Sequence, residues 1–253
     1  MRTLTGPTPR PIRFTADIPG WQLILKTLGG TLISEHPGWL VYQLGGGRVA
    51  LHAASEDQPA GFTTLAVEDP TELTKAVQAA AARGVPVTLE ESDHGPAGVV
   101  RAGDGTFLWL DRPTPVEVGT GAAERPELTT LQIWYGQDAG LIRGVLEGLG
   151  ATPRLVGDNG TWTDLVYPGG GLAAVHAADE TGTELSFEWD GDVEEAQQLL
   201  TAEGIDCLLI DETYSRTLQV ADPDGGKRIW INERQTDLYG YTDLSSGPVA
   251  ADA

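Results

Sequence analysis

His52 and His176 each close a run that begins with a triple glycine, Gly45-Gly46-Gly47-Arg48-Val49-Ala50-Leu51-His52 and Gly169-Gly170-Gly171-Leu172-Ala173-Ala174-Val175-His176. An imidazole titrates near neutral pH, so such a pair can hydrogen-bond a ligand or serve as acid and base. The same pattern also fits two inherited histidines whose ring nitrogens are satisfied beside a hairpin. Trp109 and Trp230 are matched too, in Leu108-Trp109-Leu110-Asp111 and Ile229-Trp230-Ile231-Asn232. Their flat rings can stack a planar or cationic ligand or fill a core. Strand alternation places Phe107 and Asp111 on the face of Trp109, and Arg228 and Asn232 on the face of Trp230. Trp134, two residues beyond Gln132, is expected with it on the inner face of its strand, as a further stacking group. Glu68 and Glu188 also correspond, but each precedes a helical segment, where carboxylates are ordinarily solvated or assist helix entry, so they are assigned no catalysis.

Other chemistries are absent from the sequence. It has no Gly-x-Ser-x-Gly elbow, phosphate loop or His-Glu-x-x-His helix, and its triple glycines sit in hairpins and not in a strand-to-helix dinucleotide loop. One cysteine, Cys207, excludes an internal disulfide and a cysteine-based zinc cluster; its apolar neighbours predict burial. A formal charge of −21, with 16 Lys and Arg among 253 residues, argues against nucleic acid as a partner. Such an acidic surface keeps a protein soluble, and it would also attract a cationic ligand. No stretch approaches the roughly 18 apolar residues of a membrane span. The first thirty residues lack the order of a signal peptide, so the expectation is a cytoplasmic protein without membrane contact.

These residues must be positioned by a duplicated scaffold. Tyr42 to Ala54 matches Val166 to Ala178, Leu65-Ala66-Val67-Glu68 matches Leu185-Ser186-Phe187-Glu188, and Arg83-Gly84-Val85 matches Glu203-Gly204-Ile205, in constant order. Each copy reads as two strand, helix and three-strand units. The first has a strand from Ile12 to Thr15, then Trp21, Ile24, Leu25 and Leu28 at helical spacing before Gly29, then hairpin strands around the triple glycine. The second starts with Phe62 to Val67 and continues into a helix predicted to open with Asp69 as N-cap, Pro70 and a capping-box Glu72. The second copy repeats the plan, its last hairpin turning at Asp222-Pro223-Asp224-Gly225. The predicted domains are 10–112 and 128–234, with a Pro- and Gly-rich linker, 113–127, expected to be extended and exposed, and a mobile tail, 235–253.

Four such units in tandem, helices that end in Leu-Gly and the Asp-Pro-Asp-Gly turn before the last strand resemble the vicinal-oxygen-chelate superfamily, the glyoxalase, bleomycin-resistance and dioxygenase group. The resemblance implies an α+β fold of paired units whose curved mixed sheets enclose ligand cups. It also implies a divalent metal held by His and Glu on the first and last strands of each unit in the enzymatic members. Here those positions fall near Arg10, Phe62, Thr130 and Gly182 on first strands, and near His52, Trp109, His176 and Trp230 on last strands. One donor in four per copy is too few for a metal, so the sequence predicts no metal and no cofactor. The leading expectation is therefore a bacterial, metal-free, non-catalytic binder, a monomer or homodimer sequestering an antibiotic or an aromatic or cationic metabolite. Its site would comprise His52, Phe107, Trp109, Asp111, Gln132, Trp134, His176, Arg228, Trp230 and Asn232. The alternative is a glyoxalase-like lyase, isomerase or dioxygenase, metal-free or with an unrecognised metal site.

Overall fold

The computed structural model describes residues 4–92, 95–212 and 215–245. The first repeat runs β1 (Thr8–Pro9), β2 (Ile12–Thr15), α1 (Ile18–Thr27), β3 (Thr31–His36), β4 (Trp39–Gln43), β5 (Arg48–Ala53), β6 (Thr63–Glu68), α2 (Leu73–Ala82), β7 (Val87–Ser92), β8 (Gly95–Arg101) and β9 (Phe107–Asp111). The second runs β10 (Leu128–Gly136), α3 (Ala139–Gly148), β11 (Thr152–Gly157), β12 (Trp162–Val166), β13 (Leu172–Ala177), β14 (Gly182–Trp189), α4 (Val193–Ala202), β15 (Cys207–Asp211), β16 (Arg216–Val220) and β17 (Ile229–Glu233), followed by β18 (Tyr241–Asp243). Each repeat forms one mixed sheet of nine strands, in the orders β3-β4-β5-β2-β6-β9-β8-β7, with β1 beside β6, and β15-β16-β17-β14-β10-β13-β12-β11-β18. Within each sheet the two units meet through their first strands, β2 with β6 and β10 with β14, both antiparallel. The expected α+β tandem architecture is the observed one, and units pair within the chain.

Local signals explain the helices. Asp17 caps α1 by accepting from the Gly20 amide at 3.0 Å, and Gly29 ends the turn at φ +88°. In α2 the expected N-cap is displaced by three residues. Asp69 spends its carboxylate on the Thr71 amide in a local turn, and Glu72 caps the helix through Thr74 and Lys75.

The apolar cores cross the repeat boundary. One joins Leu65, Val67 and α2 residues of the first repeat to Trp134, α3 residues and Val175 of the second; the other joins Trp21, α1 residues and Leu51 to Phe187, Trp189 and α4 residues. The helix-covered faces of both sheets therefore bury each other, and the opposite faces curve into two cups. The triple glycines lie at the centre of this contact. A Cβ on Gly45 would stand 1.9 Å from the Pro126 carbonyl oxygen, and one on Gly169 2.0 Å from Thr8 Oγ1. These turns are glycine because backbone from elsewhere in the chain passes against them, in addition to the positive φ at Gly47 and Gly171.

The segments after β9 and β17 do more than connect. In the first, Glu117 and Val118 donate to the Ile33 carbonyl and Val116 packs into the first cup, so the linker expected to be extended and exposed is also in part a strap. In the second, β18 pairs with β11, so the expected mobile tail includes a strand; positions beyond 245 lie outside the described residues.

Candidate active site

The cup faces can be compared position by position through their strand registers. In the first cup Phe14 stands opposite His52, and His52 opposite Trp39; in the second, Tyr135 stands opposite His176, and His176 opposite Trp162. Both histidines are bracketed alike, with ring centroids 5.1 Å and 5.7 Å away in the first cup and 5.5 Å and 5.8 Å in the second. Both also place Nδ1 against the next carbonyl oxygen, Ala53 at 2.7 Å and Ala177 at 2.9 Å. If that contact is a donated N–H, the tautomer assigned by it leaves Nε2 with its lone pair free.

Around this shared bracket the cups diverge. The first is packed: Ile12, Phe14, Ile33, Val41 and Ala50 form its lining, with Trp39, Trp109 and Val116 against them. Its base holds buried ions, Arg10 and Arg48 both paired with Glu68, at 2.8 Å and 2.6 Å, and Arg10 also with Asp111. Thr114 of the strap adds a hydrogen bond to Glu68 at 3.1 Å. Glu68 is fully buried, contrary to the expected solvated carboxylate, because its partners come from residues 10 and 48, distant in sequence.

In the second cup polar groups replace that lining. Tyr135 stands where Phe14 does, Asp164 in place of Val41, Glu184 in place of Thr64 and Gly182 in place of Thr63's neighbour Phe62. The Tyr135 hydroxyl donates to Glu184 Oε2 at 2.9 Å, and Lys227 Nζ pairs with Glu184 Oε1 at 2.8 Å. Burial first, then the Glu184 charge and hydrogen bond, raise the Tyr135 pKa, so it stays a phenol. Arg154 reaches both Asp164, Nε to Oδ2 at 3.1 Å, and Glu188, Nη1 to Oε1 at 2.9 Å. His176 is exposed, and the residues that follow it, Ala177, Ala178 and Asp179, line with Gln137 an open hollow of about 530 Å³ that His176 itself does not line.

The sequence-predicted residues separate accordingly. His52, Trp109 and Asp111 lie in the packed first cup, with Phe107 edge-on to Trp109 at 5.7 Å. His176, Trp230 and Asn232 belong to the second sheet's cup face; Trp230 is 38% exposed, and Asn232 accepts from Thr217. Gln132 and Trp134 are corrected: they point to the other repeat. Trp134 Nε1 donates to Asp104 at 3.0 Å, and Gln132 Oε1 lies 3.4 Å from the Ala66 amide. The strand is buried on both faces, so Leu131, Ile133 and Tyr135 face the cup instead. Arg228 precedes β17, and its guanidinium pairs with Asp206 and bonds the Gln219 carbonyl at 3.1 Å, outside the cup. Cys207 is only partly buried. Sequence reasoning missed Tyr135, Asp164, Glu184 and Arg154; aligning the repeats for differences would have exposed the first three.

No family model and no curated protein matches the sequence. Solved structures do. The catechol 2,3-dioxygenase structure is similar at TM-score 0.60 and 14% identity, over 93% of this chain and 89% of that one. The 2,3-dioxygenase LapB from Pseudomonas sp. KL28 follows at 0.59 and 13%, over 92% and 94%. The fold is that of the vicinal-oxygen-chelate superfamily. The Mn(II)-bound glyoxalase from Novosphingobium aromaticivorans shares it, at TM-score 0.59 and 13% identity, over 93% and 84%. These matches correct the expected sequestering binder: the structures that share this architecture are dioxygenases and a glyoxalase. No helix is long and apolar enough to cross a membrane among the described residues.

A vicinal-oxygen-chelate enzyme is expected to use a divalent metal, and the side chains present do not fit one. Among the described residues no group of three or more His, Cys, Asp or Glu side chains converges. Each histidine is bracketed by aromatic rings, and the Arg154 guanidinium joins the two second-cup carboxylates Asp164 and Glu188.

Proposed function

We propose that this chain is an isomerase or lyase of the glyoxalase type that moves a proton on a small α-hydroxycarbonyl compound in its second cup. The observation that carries this reading is the exchange of Phe14 for Tyr135 and Val41 for Asp164 around an otherwise identical histidine bracket. His176 Nε2 removes the proton from the carbon that bears the hydroxyl. Tyr135, whose hydrogen is committed to Glu184, accepts a hydrogen bond from the substrate hydroxyl on its oxygen. Trp162 and the Tyr135 ring hold the imidazole edge and face, which fixes the direction of its lone pair.

The test is carbon-bound hydrogen exchange in deuterated water with 2-hydroxyacetophenone, a planar ketol, in the presence of a chelator. Exchange above the buffer rate, reduced at least about 100-fold in His176→Ala and unchanged in His52→Ala, is the expected result. Exchange that requires added iron or manganese, or that depends equally on His52, overturns the reading.

A further inference from the structure

Two carboxylates, Asp164 and Glu188, converge on the one guanidinium of Arg154 inside the second cup. With Arg234 and Asp243 nearby, two guanidiniums stand against three carboxylates, so a proton is the natural further member of the cluster. Asp164 is the deeper carboxyl, its side chain 8% exposed against 15% for Glu188. Both of Arg154's contacts to it fall on Oδ2, and Oδ1 is buried with no hydrogen-bond partner among the described residues. Its neighbours across the cup face are Ala174 and then Ile133, a small apolar floor.

We propose that Asp164 is the acid of the second cup, holding a proton that it delivers to the carbonyl oxygen of the ketol. The proposal rests on the proton-transfer reading of that cup and supplies the partner it lacks. The register makes Asp164 the diagonal neighbour of His176, two residues along from the position opposite the imidazole. Such diagonal positions are about 7–8 Å apart, a span that fits a substrate whose acidic carbon and carbonyl oxygen face the two residues. The charged groups facing Asp164 are Arg154 of β11, Glu188 of β14 and Arg234 after β17; Asp243 of β18 faces Arg154 and Arg234 in turn. Burial raises the Asp164 carboxyl to about 6, Arg154 opposes the rise, and Glu188 adds to it.

The step balances without a co-reactant. His176 takes the carbon-bound proton, the freed pair forms the carbon–carbon double bond, and the carbonyl π pair moves to oxygen, which receives the Asp164 proton. The products are an enediol, an imidazolium and a carboxylate beside Arg154. Reversal of both transfers restores both residues, with deuterium left on carbon in deuterated solvent.

The experiment uses the full chain with carboxyl-labelled aspartate, followed by infrared difference spectra between pH 4 and pH 8, alongside the exchange assay. In the wild type one labelled protonated-carboxyl band should disappear as pH rises through the region near 6; Asp164→Asn should lack it, and Glu188→Gln should move its titration downward. Exchange should fall at least about 30-fold in Asp164→Asn. A spectrum without an Asp164-dependent band, or Asp164→Asn exchanging at the wild-type rate, overturns the proposal. Glu188→Gln keeps the spectral test decisive if Asp164→Asn does not fold. Wild-type exchange in His176→Ala would overturn the proton-transfer reading itself, and it is distinguished from failure of the acid because the infrared band lost in Asp164→Asn is read independently of exchange.

Discussion

Glu68 is enclosed by two arginines and a threonine, so its charge is fixed by partners from three separate stretches of chain. Removing that charge takes an ion pair from each of two buried guanidiniums, Arg10, which keeps Asp111, and Arg48. Glu68→Gln is expected to destabilise the protein by about 3–5 kcal/mol in urea denaturation, the usual result of breaking a buried pair from one side. A loss under about 1 kcal/mol would mean that the cluster is held by the packing around it. Asp164 predicts the opposite trend. Its pKa is raised from 3.8 to about 6, mainly by burial, so between those values the folded protein binds more protons than the unfolded chain and stability falls as pH rises. Asp164→Asn removes that slope, and its stability relative to wild type should climb by on the order of 2–3 kcal/mol from pH 4 to pH 7. A difference that stays flat across the range would show that Asp164 ionises as freely in the folded protein as in the unfolded one. Neither carboxylate was legible as buried in the sequence, because a glutamate before a helix and an aspartate in a strand carry no local sign of arginines far away in the chain.

At the scale of elements, repeats and periodicity reveal much and strand facing reveals less. The hairpins around the triple glycines, the helices α1 and α3 and the order of units follow from spacing that local chemistry imposes. The facing of β10 does not, since both of its sides are buried and the polar residues Thr130 and Gln132 bond to the other repeat. Polarity then points away from the cup. The same cause hid the second role of the glycines, which need the partner repeat in place before their closeness has meaning. Gly45→Ala should cost about 2 kcal/mol or more, because its Cβ meets backbone 1.9 Å away that cannot give without parting β10 from the turn. Gly144→Ala is its counterpart. That glycine lies inside α3 with nothing within 4 Å of an added Cβ, so alanine should raise stability by roughly 0.5–1 kcal/mol. Thermal denaturation of the two variants checks the contrast, and equal effects would undo it.

At the scale of the molecule, the duplication is also a mutual clamp. The turn before β9 supplies Asp104 to Trp134 of the second repeat, and the turn before β17 supplies Asp224 to Trp21 of the first, each tryptophan donating its ring N–H, at 3.0 Å and 3.2 Å. The Asp-Pro-Asp-Gly signature therefore works across the repeat boundary. Asp222 and Asp224 also pair with Arg13, whose guanidinium lies 5.2 Å from the Trp21 ring, and Asp224 accepts from Thr15 and the Ala16 amide. With both apolar cores built from both repeats, neither half can bury its helix-covered face alone. The chain should unfold in one calorimetric transition whose measured and van't Hoff enthalpies agree. Asp224→Ala should lower stability by about 2–4 kcal/mol, since it strands the Trp21 N–H, the Thr15 hydroxyl and the Ala16 amide together, and it should keep that single transition. Two resolved transitions, in the wild type or in this variant, would show that the repeats fold as separate bodies and that the clamp only docks them. A single shifted one ties the geometry of the second cup to the integrity of the first, which explains how a packed, ion-filled repeat contributes to a site it does not line.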